Sequence, residues 1–259
     1  MEIRGHLMAK SLEDWVNSDV KAVANKPLDW LSSHYFFRDP ARPLYSDSCF
    51  FFSPADGIIL YQKQVKPDET VIDIKGQNYS LRDAMRDESF DQECMIIGIF
   101  MTMYDVHVNR IPFAGTLCYK ELEPIGTHNL PMLDTEVDLI SELRISNENA
   151  EYLYKNQRVL NSIYASDLGL RYYVLQIADY DVECITPFQL GQNNQCSQNE
   201  RFSMIRYGSQ VELIVPITDQ YEFELLQEPG VHVEAGLDPL ILIHDLDLED
   251  EEETQDDET

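Results

Sequence analysis

Short runs of β-branched and aromatic residues recur along most of this chain, and they constrain its fold more than any other feature. They begin at Cys49 and end near Ile243, and turn-forming stretches such as Ser53-Pro54 and Lys66-Pro67-Asp68 separate most of them. Such runs between turn residues are typical of strands in antiparallel sheets. We therefore predict an α+β, mainly β protein, with antiparallel sheets in one main domain and helices at the N-terminus.

The element boundaries follow from the same pattern. Ser11 with Asp14 three positions later resembles a capping box, and Pro27 ends this first helix or opens a second. Two further helices are predicted at about 80–87 and 150–162. The predicted strands are 49–52, 57–62, 71–74, 95–103, 116–119, 171–177, 182–185, 210–215 and 240–243. We divide the chain into an N-terminal helical segment (1–35), a main domain (36–244) and a tail (245–259).

The charge of the chain excludes several classes of partner. There are 47 acidic residues against 19 lysines and arginines, a formal net charge of −28. Ten of the acids lie in residues 245–259, which contain no base, so we expect a disordered tail. This excess of acid argues against nucleic acid as a partner. No apolar run reaches the roughly 20 residues that a membrane-spanning helix needs.

The cysteine pattern bears on the compartment. Five cysteines form no CxxC or other metal-binding spacing, so we expect reduced thiols, mostly buried, and no metal. The N-terminus has no long apolar region of the secretory type. We therefore expect a cytoplasmic protein, which could also make peripheral contact with a membrane surface.

Three short segments carry residues that could do chemistry. Ser209 follows Gly208 before a predicted strand, His107 lies in Asp105-Val106-His107, and Asp56 precedes a glycine. Taken singly, a Gly-Ser pair or an Asp-Gly pair is usually a turn, and an isolated histidine is usually part of a core. Together they are the parts that activate a hydroxyl nucleophile, in which a base takes the proton and a carboxylate orients the base. The G-x-S-x-G motif of α/β-hydrolases is absent.

Seven segments, in the same order along the chain, resemble the phosphatidylserine decarboxylases, in particular the short bacterial form. The most specific are FFSPADG (51–57), DVHVNRIPFAGTL (105–117) and ERFSMIRYGSQVELIVP (200–216). The supporting ones are FFRDPARP (36–43), IKGQNYSL (74–81), NQRV (156–159) and VLQIAD (174–179). The chain departs from the usual pattern at Gln210, where most members have Thr or Arg, and at Arg110, where many have a second histidine. It also has Gln157 where members have Glu.

The resemblance implies a pyruvoyl cofactor made from Ser209 by self-cleavage. Its hydroxyl attacks the Gly208 carbonyl, and the amide becomes an ester. Loss of the Ser209 α-proton then releases the upstream chain, and hydrolysis of the remaining dehydroalanine gives the pyruvoyl group and ammonia. In this scheme His107 is the base and Asp56 orients it. The products are chains 1–208 and 209–259, which we expect to remain associated.

The implied reaction is a decarboxylation that converts phosphatidylserine to phosphatidylethanolamine. A ketone next to an amide accepts the electrons left when carbon dioxide departs, which no ordinary side chain does well. His107 is also the candidate to reprotonate the carbon. Two alternatives stay open: decarboxylation of a soluble amino acid by the same cofactor, and an uncleaved member that serves as a binding or scaffold protein. Trp15, Trp30 and residues 35–37 could insert into a membrane surface or pack against the sheet.

Overall fold

The computed structural model describes residues 9–44, 46–180 and 184–246, and strands dominate it. In chain order the strands are β1 (Lys10–Ser11), β2 (Phe50–Phe52), β3 (Gly57–Val65), β4 (Ile72–Ile74), β5 (Gln77–Tyr79), β6 (Cys94–Met101), β7 (Val108–Arg110), β8 (Gly115–Leu122), β9 (Arg158–Ala165), β10 (Leu170–Ala178), β11 (Ile185–Pro187), β12 (Asn194–Cys196), β13 (Arg201–Ile205), β14 (Ser209–Pro216), β15 (Tyr221–Leu225), β16 (Val231–Val233) and β17 (Pro239–Asp245).

The helices are short. They are α1 (Leu12–Trp15), α2 (Lys21–Val23), α3 (Leu28–Trp30), α4 (Leu81–Met85), α5 (Leu133–Glu142) and α6 (Tyr152–Lys155). Two π-helical turns, Val16–Val20 and Leu31–Tyr35, extend α1 and α3. None of the helices in the described residues is long and apolar enough to cross a membrane.

The strands form one large sheet and three small ones. The large sheet has nine strands in the order β1-β16-β3-β6-β14-β10-β9-β8-β12. The small sheets are β11-β13-β7, β15-β17-β2 and β4-β5. Every strand pairing within the described ranges is antiparallel. This confirms the predicted α+β, mainly β fold with antiparallel sheets.

The central strand of the large sheet, β14, is buried along its whole length. Successive side chains of a strand point to opposite faces, so its sequence divides into two sets. Val211 and Leu213 belong to one apolar cluster, and Ile214 belongs to the cluster on the other face. A strand buried on both faces reads as a nearly continuous apolar run, and ELIVP within 212–216 has that character.

The first N-terminal helix, with the π-helical turn that follows it, packs against one face of this sheet. Ser11 accepts the Asp14 N–H on its side chain at 3.1 Å, which confirms the predicted helix start. Trp15 and Val20 are buried in the same cluster as Ile214. The main-chain N–H of Leu12 also donates to the Gly230 carbonyl, so the first helix is tied directly to the strand β16 region.

Some predicted elements were confirmed and others were wrong. The helix at 80–87 is confirmed as α4, with a complete capping box at Ser80 and Asp83. The helix at 150–162 was wrong, because the chain leaves α6 after Lys155 and forms β9, which pairs on both sides with β8 and β10. Helix α5 was not predicted. Of the predicted tail, Asp245 ends β17, and residues 247–259 lie outside the described residues. The strand predicted at 182–185 overlaps residues 181–183, which are also outside them, and is followed by β11.

The five cysteines are free thiols, and Cys94, Cys184 and Cys196 are buried. Burial raises the pKa of the Cys94 thiol to about 12 and that of Cys196 to about 11. A raised pKa keeps a thiol protonated and poorly reactive. These side chains therefore act as small apolar groups in the core.

Candidate active site

Ser209 begins the central strand and is completely buried. Its backbone lies opposite Met101 of β6 on one side and Ala178 of β10 on the other. Its hydroxyl donates a 2.8 Å hydrogen bond to the Tyr207 carbonyl. Whatever group occupies position 209 is thus held by two neighbouring strands in the middle of the large sheet.

The turn before Ser209 is conformationally strained. Tyr207 has a φ of 67°, in the left-handed region, which costs a residue other than glycine about 1–2 kcal/mol. Gly208 follows, and a Cβ placed on it would lie only 2.9 Å from Oδ2 of Asp179. The bond predicted to break, between Gly208 and Ser209, therefore lies at the junction of this strained turn and the buried strand β14. The Asp179 carboxylate packs against Gly208.

His107 is a completely buried imidazole with one ring nitrogen lacking a hydrogen-bond partner. Its Nδ1 donates to the Asp105 carbonyl at 3.1 Å, which leaves the lone pair on Nε2. Nε2 is the unpartnered atom. Burial lowers the pKa of His107 to about 4, against an opposing effect of Asp105. The ring is therefore neutral at physiological pH, and the lone pair on Nε2 is available to act as a base.

The ring of Phe36 lies between His107 and the predicted cleavage turn. The Phe36 and His107 ring centroids are 4.0 Å apart, and those of Phe36 and Tyr207 are 6.1 Å apart. The carbonyl of His107 also accepts the N–H of Ile205 at 3.1 Å. The structure thus places His107 beside the strand that leads into Ser209. The Ser209 hydroxyl and the His107 ring, however, each bond to a backbone carbonyl and not to each other.

Asp56 has partners that the sequence analysis did not predict. Both of its carboxylate oxygens bind Arg42, at 2.6 and 2.7 Å, and Oδ1 also accepts the Ala235 N–H at 2.8 Å. The side chains of Asp56 and Arg42 are 4% and 5% exposed, so this is a buried, bidentate ion pair. Asp56 makes no hydrogen bond to His107 in this arrangement, and its effect on His107 is electrostatic. The proposed roles of Ser209, His107 and Asp56 remain predictions.

Gly57 explains how Asp56 reaches this position. Its φ is +154°, and a Cβ there would lie 2.2 Å from the Phe100 carbonyl oxygen. Only glycine permits β3 to begin so close to β6. The Asp-Gly pair therefore starts a strand at a close backbone approach, and it leaves the Asp56 carboxylate turned towards Arg42.

A second buried histidine lies near the first. His232 of β16 donates from Nε2 to Oδ1 of Asp105 at 2.6 Å, and the Trp15 ring stacks on it with centroids 4.6 Å apart. Asp105 is thus shared between the two histidines, through its carbonyl and its carboxylate. Asp105 was predicted only as part of a motif, and His232 was not predicted, because a single histidine in Val-His-Val gives no signal of its own.

These groups border a cavity of about 190 Å³. Its walls include Asp56, Asp105 and His232, together with Arg38 and Arg42. Arg38 donates to the carbonyls of Tyr104 and Asp105. The cavity therefore has charged groups of both signs, and Asp105 in its wall binds the His107 ring through its carbonyl.

Glu136 of α5 lies near the same region. Its carboxylate accepts the Met103 N–H at 3.3 Å. Burial, with smaller contributions from the charges of Asp105 and Asp179, raises the pKa of Glu136 to about 7. Glu136 is therefore a carboxyl group that titrates near neutral pH, and nothing in the sequence around it signals this.

A polar network lies behind Ser209, on the opposite face of β14. The Gln210 side chain bonds to the hydroxyls of Tyr61 and Tyr152, and the buried Glu212 carboxylate accepts hydrogen bonds from Tyr61 and Tyr79. Burial raises the pKa of Glu212. The network fixes the orientation of the strand that carries Ser209.

The donor set at this site is not that of a metal centre. In the parts of the chain that the structure describes, no group of three or more His, Cys, Asp or Glu side chains could hold a metal ion.

Comparison with known proteins identifies the family. The family model for phosphatidylserine decarboxylase matches residues 33–240. A phosphatidylserine decarboxylase proenzyme of Symbiobacterium thermophilum is 27% identical over 78% of this chain and 74% of its own length. One from Novosphingobium aromaticivorans is 32% identical over 70% of this chain and 62% of its own length, so the chain spans less than two thirds of that relative. A putative archaetidylserine decarboxylase proenzyme of Methanocaldococcus jannaschii is 29% identical over 78% of this chain and 85% of its own length. The matched region contains all three predicted site residues, and the chain belongs to the phosphatidylserine decarboxylase family, a family of carboxy-lyases.

Proposed function

We propose that this chain is a self-cleaving decarboxylase that converts phosphatidylserine to phosphatidylethanolamine. The observation that carries the proposal is the placement of Ser209 at the start of a buried central strand, directly after a strained turn, within the family match. The related proteins are named as proenzymes, which agrees with a chain that must be cut before it acts.

The chain's own residues suit the cleavage between Gly208 and Ser209. The hydroxyl of Ser209 is next to the carbonyl that it would attack, so proximity is provided by the chain itself. His107 is neutral and has a free lone pair on Nε2, as a base must. Rotation of the Ser209 side chain away from the Tyr207 carbonyl would release the hydroxyl for this role.

The surroundings of residue 209 also fit a pyruvoyl group there. Such a group supplies a ketone that accepts the electrons released by loss of carbon dioxide. Strands β6 and β10 hold the residue from both sides, and burial excludes bulk water. His107 would hold the proton that the product needs at its α-carbon.

The two chains made by cleavage should remain associated. The smaller chain, 209–259, would contribute β14, β15, β16 and β17, and β14 pairs with strands of the larger chain on both sides. The buried pairing of β14 provides both backbone hydrogen bonds and apolar contacts. No covalent link is needed.

Contact with a membrane surface would bring the site to its lipid. The structure separates the large apolar residues of the first 37 positions into a buried and an exposed group. Trp15 and Phe36 pack inside, while Leu28, Trp30 and Phe37 are 71%, 37% and 49% exposed. Phe37 follows Phe36, which contacts His107, so the exposed group borders the candidate active site. We propose that this exposed group enters the lipid interface.

An intact-mass spectrum of the purified protein tests the cleavage. We expect two fragments divided between residues 208 and 209, with the smaller one blocked at its N-terminus. The fragments differ in charge, −11 for 1–208 and −17 for 209–259, and separate by anion exchange in denaturant. Ser209→Ala should stay as one chain of about 30.0 kDa and be inactive. Cleavage of that variant at the same bond, or activity of an uncut wild type, would exclude the mechanism.

The release of carbon dioxide from different serine compounds tests the substrate. Phosphatidylserine in vesicles, archaetidylserine and free amino acids should be compared at equal concentration. We expect turnover of the lipids, because the family match covers most of the chain. Turnover of free amino acids alone would favour the soluble-substrate alternative, and an uncut, inactive wild type would favour a binding or scaffold role.

A further inference from the structure

His232 and Asp105 form a buried pair that the proposed chemistry does not use. The side chain of His232 is 6% exposed and that of Asp105 is 1% exposed, with 2.6 Å between Nε2 and Oδ1. Trp15 stacks on the imidazole at an interplanar angle of 11°, which shields the pair from water on that side. A stacked indole also stabilises an imidazole that carries a positive charge.

Asp105 connects this pair to the candidate base. Its Oδ2 accepts the N–H and the hydroxyl of Thr102, both at 2.8 Å, and this closes the turn that leads to His107. Its Oδ1 accepts a hydrogen bond from the Nε2–H of His232. Its carbonyl accepts the Nδ1 proton of His107. The side chain of Asp105 therefore fixes the backbone whose carbonyl selects the His107 tautomer.

We propose that His232 is a positioning residue for His107, acting through its ion pair with Asp105. The proposal rests on the proposed cleavage and decarboxylation, and it deepens them. It also gives the smaller chain a part in the site beyond Ser209, because residues 230–238 lie after the predicted cleavage point. Ala235 in the same stretch binds Asp56 and Arg42. The smaller chain therefore contacts both carboxylates near His107, Asp56 through Ala235 and Asp105 through His232.

The charges around the pair are compatible with this role. Burial raises the pKa of Asp105, but the charge and hydrogen bond of His232, together with Thr102, outweigh burial and lower it. Burial lowers the pKa of His232, but Asp105 outweighs burial and raises it. The other carboxylates that face His232 are Asp19, Asp56, Glu234 and Asp238. The cations on the same cavity are Lys10, Arg38 and Arg42, and two of them are paired, with Asp19 and Asp56.

The sign of the pH effect follows from these shifts. Asp105 keeps its charge to lower pH because His232 and the two Thr102 hydrogen bonds together outweigh its burial, with His232 contributing most. Without the imidazolium, Asp105 would take up a proton at higher pH and lose its hold on Thr102. We therefore expect His232→Gln, which keeps a hydrogen-bond donor, to move the acid limb of the cleavage rate upward by one pH unit or more. At a fixed pH on that limb the rate would fall about tenfold.

The matched control is His244→Gln. His244 forms a more exposed pair with Glu224 at 3.1 Å, on the same smaller chain. The cleavage rate of each variant should be measured from pH 4 to 8, and thermal unfolding should establish that both variants fold. A His232→Gln profile that superimposes on the wild type would overturn the proposal. So would a uniform drop at all pH values, because a merely structural role produces that result.

A second measurement needs no His232 variant. In the uncut Ser209→Ala protein, nitrogen-15 spectra of the histidine rings at pH 6 should show His107 protonated on Nδ1 only and His232 protonated on both nitrogens. His107 protonated on Nε2, or a neutral His232, would overturn the proposal. An uncut and inactive wild type would instead refute the proposed function, and the ring spectra would still decide the positioning role.

Discussion

Glu136 should make the folded protein less stable as the pH rises from about 4.5 to about 7. Its pKa is raised by burial from 4.5 to about 7. Between these values the folded state holds a proton that the unfolded state has lost, so the free energy of unfolding falls as the pH increases. At 1.36 kcal/mol per pH unit the loss reaches at most about 3 kcal/mol above pH 7, because solvent screens a side chain that is only partly buried.

Glu136→Gln removes this loss. Glutamine keeps an oxygen that can accept the Met103 N–H, and it has no charge to bury. We expect the variant and its parent to be equally stable near pH 4.5, where the carboxyl is largely protonated in the folded protein. At pH 8 the variant should be more stable by up to about 3 kcal/mol.

Urea denaturation in the Ser209→Ala background gives the comparison, because an uncut chain unfolds without dissociating. Asp134→Asn, which removes an exposed carboxylate from the same helix, is the matched control. An equal effect of Glu136→Gln at pH 4.5 and pH 8 would refute the reasoning. A wild type that is the more stable protein at pH 8 would do the same.

Three further outcomes are expected. His107→Ala should slow self-cleavage about 10²–10⁴-fold, measured as the half-time on a denaturing gel, and rapid cleavage would show that the strained turn alone suffices. Asp56→Ala should lower the free energy of unfolding by about 3–5 kcal/mol, because it leaves the buried Arg42 charge unpaired. The Asp56→Leu/Arg42→Met double variant should regain stability in urea denaturation but not cleavage, and recovery of both would leave Asp56 without a chemical role. Tyr79→Phe should cost about 1–3 kcal/mol in urea denaturation, because the buried Glu212 carboxyl loses a hydrogen-bond donor, and an unchanged midpoint would contradict a role for this contact in stability.

The strands were predictable because burial on one or both faces leaves a pattern in the sequence. The β-branched and aromatic run at 210–215 corresponds to β14, and the run at 95–103 corresponds to β6. The error at 150–162 has a physical reason. Residues 152–155 are helical, but the next residues alternate between buried and partly exposed positions in β9, and the neighbouring strands decide that outcome.

Only those site residues that lie in short sequence motifs could be predicted from the sequence. Ser209, His107 and Asp56 were predicted because each lies in a segment that resembles the family. The fold sets the pairing of Arg42 with Asp56, 14 residues away, and brings His232 to the site through a strand pairing. The raised pKa of Glu136 arises from burial by the folded chain. Partners of this kind depend on tertiary structure and leave no local pattern.

The position of β14 has a consequence for the lifetime of the cut protein. Four strands lie on each side of it in the nine-stranded sheet, and the proposed cut falls at its first residue. The uncut chain can refold as a single molecule, whereas a cut protein that has unfolded must find its partner again by diffusion at the prevailing concentration. The cut protein is then preserved by the slowness of its unfolding rather than by ready reassembly. Each molecule is therefore assembled once, before it is cut, and heat inactivation of the mature form should be irreversible on dilution.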